Sequence, residues 1–409
     1  MRAPDPAIPL AVTGLGIICS IGTNQDEVWQ SIVDSRDGIG RLTRFPGETF
    51  PTDIAAEVEW TLKPSIPIDG RELRRLSRTD RLAVVAAAEA IGQANGDGSA
   101  PLSFDDTAVS TGSSTGGLLE GEAYYFTRLI RGRDRTPASQ VIQQPTSGPS
   151  DAVARLFNLG GGVFSNATAC ASGGAAIGLA ADLLRSRRAE AVLAGGSDAL
   201  CRLTYSGFNV LQAVDSSPCS PFSADRKGIT LGEGAAYLVL ERMDDARRRG
   251  ATVLAELAGY GASCDAHHPT APIEDGRGAK AAMLQALKEG GAAPADVDYI
   301  NAHGTGTLLN DSAESRAIIS AVGPTVPVSS TKSFFGHTLG ASGAVEAVVT
   351  VLALMNGLAP PTLRMNRAAD DCLLDYIPHT ARPMDMRAAL SNTFGFGGSN
   401  ISLLFRRAE

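Results

Sequence analysis

The first apolar run of the chain, residues 8–18 (IPLAVTGLGII), carries no charge and reads as a buried strand turning at glycine, with a helix predicted over 26–33. Further on, residues 81–93 place apolar positions at helical spacing, and 107–111 read as a strand. Residues 191–193 read as a short buried strand ending at Gly195 and Gly196. Two more apolar runs, 235–241 and 252–260, flank Arg247, Arg248, Arg249 and Gly250, which read as an exposed helix end and turn. Strand followed by helix, repeated, predicts an α/β protein whose parallel or mixed sheet is covered by helices. No linker rich in proline, serine or charge divides the chain.

The second half repeats the theme of the first. A strand over 326–329 leads through a polar turn into LGASGAVEAVV from Leu339, echoing CASGGAAIG from Cys170; the two Ala-Ser-Gly triplets lie 170 residues apart. Two related halves, 1–250 and 251–409, would bring both helix starts near a pseudo-twofold axis, with reactive groups from each half facing one another.

Composition narrows the function. With 409 residues and 44% apolar content, the chain can bury a large core. A net charge of −8 argues against nucleic acid as a general partner, because phosphate binding wants a basic face. Six scattered cysteines show no CxxC spacing, so neither a metal site nor a disulfide framework is expected, and a reducing cytoplasm fits. The N-terminal residues lack the pattern of a signal peptide, and no stretch of about 18 uninterrupted apolar residues predicts a membrane span.

Candidate chemistry lies at three turns. Cys170 ends GVFSNATAC and begins a small-residue helix, where the positive helix end is expected to lower the thiol pKa from about 8.5 and favour a nucleophilic thiolate. A small buried cysteine packing at a tight join accounts for the same segment. His303 lies where the strand YIN enters AHGTGT, with Thr305 and Thr307 offering hydroxyls to an elongated polar ligand. His337 lies in SSTKSFFGHTLG, again between a strand and a small-residue helix, with Lys332 in the same segment. Each histidine alone is ordinary; a thiol and two histidines at matching turns are not.

These segments resemble the β-ketoacyl-acyl-carrier-protein synthases of the thiolase superfamily, of the elongating fatty-acid and type II polyketide kinds. The resemblance spans nearly the whole chain and rests on TACASG at Cys170, PFSADRKG with LGEGAA, NAHGTGT, SSTKSFFGH and NTFGFGGSN. It implies a five-layer αβαβα fold of two related halves. It further implies decarboxylative condensation of an acyl chain on Cys170 with a malonyl acyl carrier protein. His303 and His337 would hold the extender thioester oxygen, and the backbone N–H groups of Cys170 and Phe396 the acyl oxygen. Lys332 with Glu314 would support the histidines ionically, and His268 and Thr270 would line the pantetheine tunnel. No cofactor or metal is implied, since phosphopantetheine arrives on the carrier. The expected partners are an acyl carrier protein and a second subunit, either a copy of this chain or a chain-length-factor subunit.

The chain departs from the fatty-acid pattern at Thr115, where a bulky aliphatic residue commonly floors the acyl pocket, and at SQVIQQ (139–144), where an aromatic stretch would reach the neighbouring subunit's pocket. A polar lining suits a stiff or oxygenated chain, because burying an unpaired hydroxyl costs about 1–3 kcal/mol. With the loop GTLLND (306–311), this points towards polyketide or polyene secondary metabolism, with housekeeping fatty-acid elongation as the alternative. Arg71, Arg74, Arg75 and Arg78 at helical spacing would form one basic face for an acidic carrier. GSSTG (112–116) also fits a serine-hydrolase elbow, and a non-catalytic partner subunit is a further rival. The adjacent pair His267 and His268 reads as tunnel wall, and GLGIIC (14–19) lacks the third glycine of a dinucleotide fingerprint.

Overall fold

Eleven strands of the computed structural model make one mixed sheet, and the structure describes residues 4–45, 50–59, 63–96, 99–103, 105–132 and 138–408. Residues 1–3, the start of the segment read for an export signal, lie outside these. The strands of this sheet are β1 (Leu10–Cys19), β2 (Thr107–Gly112), β3 (Val163–Asn166), β4 (Ala191–Asp198), β5 (Gly234–Arg242) and β6 (Ala255–Cys264). They continue with β7 (Tyr299–Asn301), β8 (Pro327–Ser329), β9 (Asp375–Tyr376), β10 (Ala388–Gly395) and β11 (Ser399–Arg407). Their spatial order is β9-β8-β7-β10-β11-β6-β1-β5-β4-β2-β3.

The two sides of that order are the same motif. Outward from the middle, β1 pairs antiparallel with β5 and β5 antiparallel with β4, while β4 and β2, then β2 and β3, are parallel. On the other side β6 pairs antiparallel with β11 and β11 antiparallel with β10, while β10 and β7, then β7 and β8, are parallel. The half-sheets join where Leu10, Ala11 and Val12 of β1 pair with Leu257, Glu256 and Ala255 of β6.

Five helices build the layers: α1 (Arg78–Ala94), α2 (Ser172–Arg185), α3 (Arg277–Glu289), α4 (Leu308–Ala321) and α5 (Ser342–Asn356). Helices α2 and α5 pack on each other and on strands of both halves, whereas α1 covers β1, β4 and β5 from outside and α3 covers β6 and β11. The result is the five-layer αβαβα arrangement. The run Leu339–Asn356 is apolar enough to cross a membrane, but it is almost wholly buried as the central helix. Its burial on every side explains its lack of a polar face.

Glycine in these strands marks close approach, not a turn. A Cβ on Gly16 would lie 1.9 Å from the carbonyl oxygen of Ala86 in α1, and a Cβ on Gly261 would lie 1.9 Å from that of Ala282 in α3. β1 therefore runs straight through the predicted turn to Cys19, and β4 through Gly195 and Gly196 to Asp198, because bare backbone lets a neighbour sit directly on the sheet.

The predicted four-arginine face is also corrected. The helix Gly70–Arg75 ends at Leu76, whose backbone is extended, and α1 starts anew behind a Ser77–Asp80 capping box. Arg71, Arg74 and Arg75 are exposed, while Arg78 is buried against Glu233 at 2.6 Å.

Candidate active site

Cys170 sits in the one-turn 3-10 segment Ala169–Ala171 between β3 and α2, and the matching segment Leu339–Ala341 precedes α5. Both turns open on a residue forced to positive φ, Ala169 at +49° and Leu339 at +54°. Such conformations cost on the order of 1–3 kcal/mol and persist only where their surroundings hold them. Ser172 helps: its hydroxyl accepts from the Thr168 amide at 2.9 Å and donates to the Ala169 carbonyl at 2.6 Å.

The expectation of a lowered thiol pKa is corrected by the structure. Burial pushes Cys170 up to about 11, past the opposing pull of the Lys332 charge and of the Phe396 backbone N–H. Cys170 is only 7% exposed, so desolvation of the thiolate outweighs its favourable neighbours. The resting group is the thiol.

His303 follows β7 on a loop whose amides are gripped by two acids. Glu314 accepts from the amides of His303 at 2.9 Å and Gly304 at 2.8 Å, and Asp311 from those of Thr305 at 3.0 Å and Gly306 at 3.2 Å. His337 is pinned by its main chain, its amide donating to the Thr230 carbonyl at 2.7 Å and its carbonyl accepting from Gly232 at 2.9 Å.

The tautomers follow from the donors around each ring. The ammonium of Lys332 can only donate, and it lies 3.2 Å from His303 Nδ1 and 2.6 Å from the His303 carbonyl. His337 Nδ1 accepts from the Leu339 amide at 3.0 Å and lies 3.1 Å from Ser342 Oγ. Each Nδ1 is therefore an acceptor, and each neutral ring carries its proton on Nε2. Burial and the Lys332 charge hold His303 well below its ordinary pKa and bring His337 down to about 3. The rings meet edge to face with centroids 5.5 Å apart.

Lys332 is not paired with Glu314. Its ion-pair partner is Glu346 in α5, both fully buried. Burial pushes the carboxyls of Glu346 and Glu314 up to about 7, with Lys332 pulling the other way. Glu346 escaped the sequence reading although it stands as a single acid inside the apolar run of α5. Asp311 and Asp198, both buried acceptors of several N–H groups, escaped it as well.

Cys170, His303 and His337 line one open cavity of about 320 Å³, together with Thr305, Thr307 and Thr270. Phe396 also lines it and stacks on Phe208 at 5.5 Å between ring centroids. Two predicted residues stand off its wall. Thr115 gives its hydroxyl to Asp198 at 2.8 Å, so it presents no unpaired hydroxyl to an acyl chain. His268 instead caps its own loop, Nδ1 accepting from the amides of Thr270 at 3.2 Å and Ala271 at 3.1 Å. In GSSTG, Ser113 and Ser114 direct their hydroxyls to Asp198 and to the Ala169 carbonyl, not to a histidine, so the hydrolase elbow is not built.

Comparison with known proteins places this geometry. Residues 7–246 match the model of the beta-ketoacyl synthase N-terminal domain, and residues 254–366 that of the C-terminal domain. The chain is 39% identical over 410 residues to 3-oxoacyl-[acyl-carrier-protein] synthase 2 of Synechocystis, covering 98% of both chains. It is 38% identical to nodulation protein E of Rhizobium meliloti, covering 97% of this chain and 99% of the relative. Among solved structures it superposes on the ishigamide ketosynthase/chain length factor with a TM-score of 0.93 at 32% identity, covering 100% of both chains. A beta-ketoacyl synthase from Burkholderia phymatum gives a TM-score of 0.91 at 32% identity, covering 98% of this chain and 100% of that one. A thiol and a histidine at the matching turns of a duplicated five-layer fold, with a second histidine on the loop after β7, in a chain that aligns end to end with these relatives, make this protein an acyltransferase of the beta-ketoacyl synthase family, a condensing enzyme.

Proposed function

We propose that the enzyme joins an acyl chain held on Cys170 to a malonyl unit delivered by an acyl carrier protein, releasing carbon dioxide and a β-ketoacyl carrier. The observation that carries this reading is one thiol facing two neutral histidines whose free N–H groups are both Nε2. In the first half-reaction the sulfur of Cys170 attacks the acyl thioester, the carbon–sulfur bond to pantetheine breaks, and the thiol proton passes to the departing thiolate. No external base is needed for that balance. The amides of Cys170 and Phe396 hold the acyl oxygen.

In the second half-reaction the malonyl carbon–carbon bond breaks and its electron pair becomes an enolate. The Nε2–H groups of His303 and His337 stabilise the new negative charge on the thioester oxygen. The enolate carbon then attacks the Cys170 thioester, and the released sulfur takes a proton from water, in keeping with a pKa near 11. Neutral rings suit this task, because their pKa values keep them donors across the working range. Thr270, Thr305 and Thr307 stand along the approach for the pantetheine arm, which arrives on its carrier and leaves no cofactor for the enzyme to hold.

The pathway reading is polyketide assembly with a second ketosynthase-like subunit. Support comes from the likeness to the ishigamide ketosynthase/chain length factor and, at 32% identity, to a ketosynthase in complex with its chain length factor from Xenorhabdus doucetiae. Exposed apolar side chains on and beside the helix Leu118–Arg131, Phe126, Leu129, Ile130 and Ile142, support a second subunit of either kind, a copy of this chain or a ketosynthase-like partner. Thr115, with its hydroxyl on Asp198, gives an acyl chain no polar floor and does not bear on the pathway. Fatty-acid elongation remains the second reading, favoured by the 39% identity to the Synechocystis synthase. Incubation with acyl and malonyl carriers, followed by intact-mass analysis, tests the chemistry: an acyl adduct on Cys170 and a β-ketoacyl product are expected. No adduct on Cys170 overturns the proposed reaction. Product length with and without a co-expressed ketosynthase-like subunit decides the pathway.

A further inference from the structure

Asp198, at the end of β4, is fully buried and belongs to neither half's catalytic turn, yet it reaches both. Its Oδ1 accepts from Ser113 Oγ at 2.7 Å, Thr115 N at 2.9 Å and Thr115 Oγ1 at 2.8 Å. Its Oδ2 accepts from Ser114 N at 2.9 Å and from Gly340 N at 2.6 Å. Ser114 in turn donates its hydroxyl to the Ala169 carbonyl at 2.9 Å, holding the positive-φ residue before Cys170. Gly340 follows Leu339, the positive-φ residue whose amide fixes His337 Nδ1. The packing leaves no slack: a Cβ on Gly340 would fall 2.7 Å from both Asp198 Oδ2 and Ser114 Oγ.

We propose that Asp198 is a positioning residue that clamps the Cys170 turn and the His337 turn to each other, fixing the nucleophile against one of the two enolate donors. This rests on the two-half-reaction scheme above and adds to it a part that touches no substrate. Burial raises the Asp198 pKa, and the obligate N–H donors of Ser114, Thr115 and Gly340, with the hydroxyls of Ser113 and Thr115, oppose that rise and favour the ionised form in which the clamp acts. Its cost is matched by what it holds, since neither Ala169 nor Leu339 would keep its conformation unaided. Burial of a negative charge beside Cys170 also raises the thiol pKa.

The variant Asp198→Asn keeps the shape but must set an NH2 group against N–H or O–H donors whichever way the amide turns. Both half-reactions are expected to slow by roughly tenfold or more, read as acyl transfer to Cys170 and as carbon dioxide release by enzyme already acylated. Two readouts do not depend on the reaction scheme. Alkylation of Cys170 by iodoacetamide should shift to lower pH, as a neighbouring negative charge is lost. The nitrogen NMR signals of His337 should lose their single tautomer, as Gly340 and Leu339 are released. A folded Asp198→Asn enzyme with rates within about twofold of wild type, or with only one of the two turns responding, overturns the clamp. Wild-type enzyme that fails to acylate Cys170 overturns the reaction scheme instead, while alkylation and NMR still decide the clamp. If Asp198→Asn does not fold, Ser114→Ala decides: it cuts only the Cys170 arm, so acyl transfer should fall several-fold with the His337 signals unchanged. No change in transfer, or an equal disturbance of both turns, overturns it.

Discussion

Replacing Glu346 by glutamine tests what holds the decarboxylating half of the site in place. The substitution leaves the Lys332 ammonium, 1% exposed, facing a neutral amide oxygen in place of its charged partner, beside the neutral Nδ1 and the carbonyl of His303. Breaking a buried ion pair from one side costs about 3–5 kcal/mol, because a charge remains without compensation. With an unfolding entropy of about 2.1 cal/mol/K per residue, 409 residues carry roughly 0.9 kcal/mol/K, so that loss lowers Tm by about 3–6 °C. The lysine then moves towards other acceptors, and His303 loses the contact that fixes its tautomer. Carbon dioxide release from the malonyl carrier should therefore fall more steeply than acyl transfer to Cys170, whose amides lie on other elements. Differential scanning calorimetry and the two half-reaction assays, run on Glu346→Gln beside wild type, supply the measurements. A Tm within about 1 °C of wild type would refute the assignment of Glu346 as the lysine's partner. Equal losses in both half-reactions would refute the division of labour between the two turns.

Other outcomes follow from the same site. Iodoacetamide should modify Cys170 at pH 8 about a hundredfold more slowly than a free thiol, with the rate climbing about tenfold per pH unit towards pH 11; a plateau near pH 8 would mean that the helix end, not burial, governs the sulfur. His337 has a folded pKa near 3, below its unfolded value near 6.5, so its contribution to stability is present above pH 6.5 and is lost as pH falls towards 3. His337→Gln should accordingly flatten the acid limb of urea-melt stability by up to about 1.4 kcal/mol per pH unit, and an unchanged slope would show that the ring already protonates in the folded site. Charge reversal at Arg74 and Arg75, both exposed, should raise KM for the carrier-bound substrate but not for a free pantetheine thioester; equal effects on both would defeat carrier docking at that helix.

The side chains proposed to react were legible because chemistry restricts residue type: a thiol and two imidazoles stood at turns with their own small-residue signature, and the structure brings them to one cavity. Their supports were harder to read, since a buried acceptor is defined by the N–H groups it meets, and those come from distant elements. Glu314 was found as a support of the histidines and grips the backbone of His303 and Gly304, eleven and ten residues away, whereas the acid that pairs with Lys332 lies out of sight on α5. Asp198 carried no signal as a short acid after AGGS, because its partners lie on two turns, around residues 113–115 and at Gly340.

The fold errors share one cause with the hidden supports. Gly16 and Gly196 were read through local propensity, in which glycine ends a strand, while the structure uses both where another backbone lies against the sheet. The duplication makes this visible: Gly14 and Gly16 face Ala90 and Ala86 of α1 just as Gly259 and Gly261 face Ala286 and Ala282 of α3. A second pair of strand glycines at the equivalent place in the other half is a signal that single-segment reasoning discards. The same symmetry gives Ala169 and Leu339 one strained conformation at two catalytic turns, so a backbone strain unexplained in either half alone becomes a shared design. The two turns come from different halves, and the candidate site lies where those halves meet. A buried carboxylate that binds both is thus the residue type expected at their junction, and Asp198 stands there.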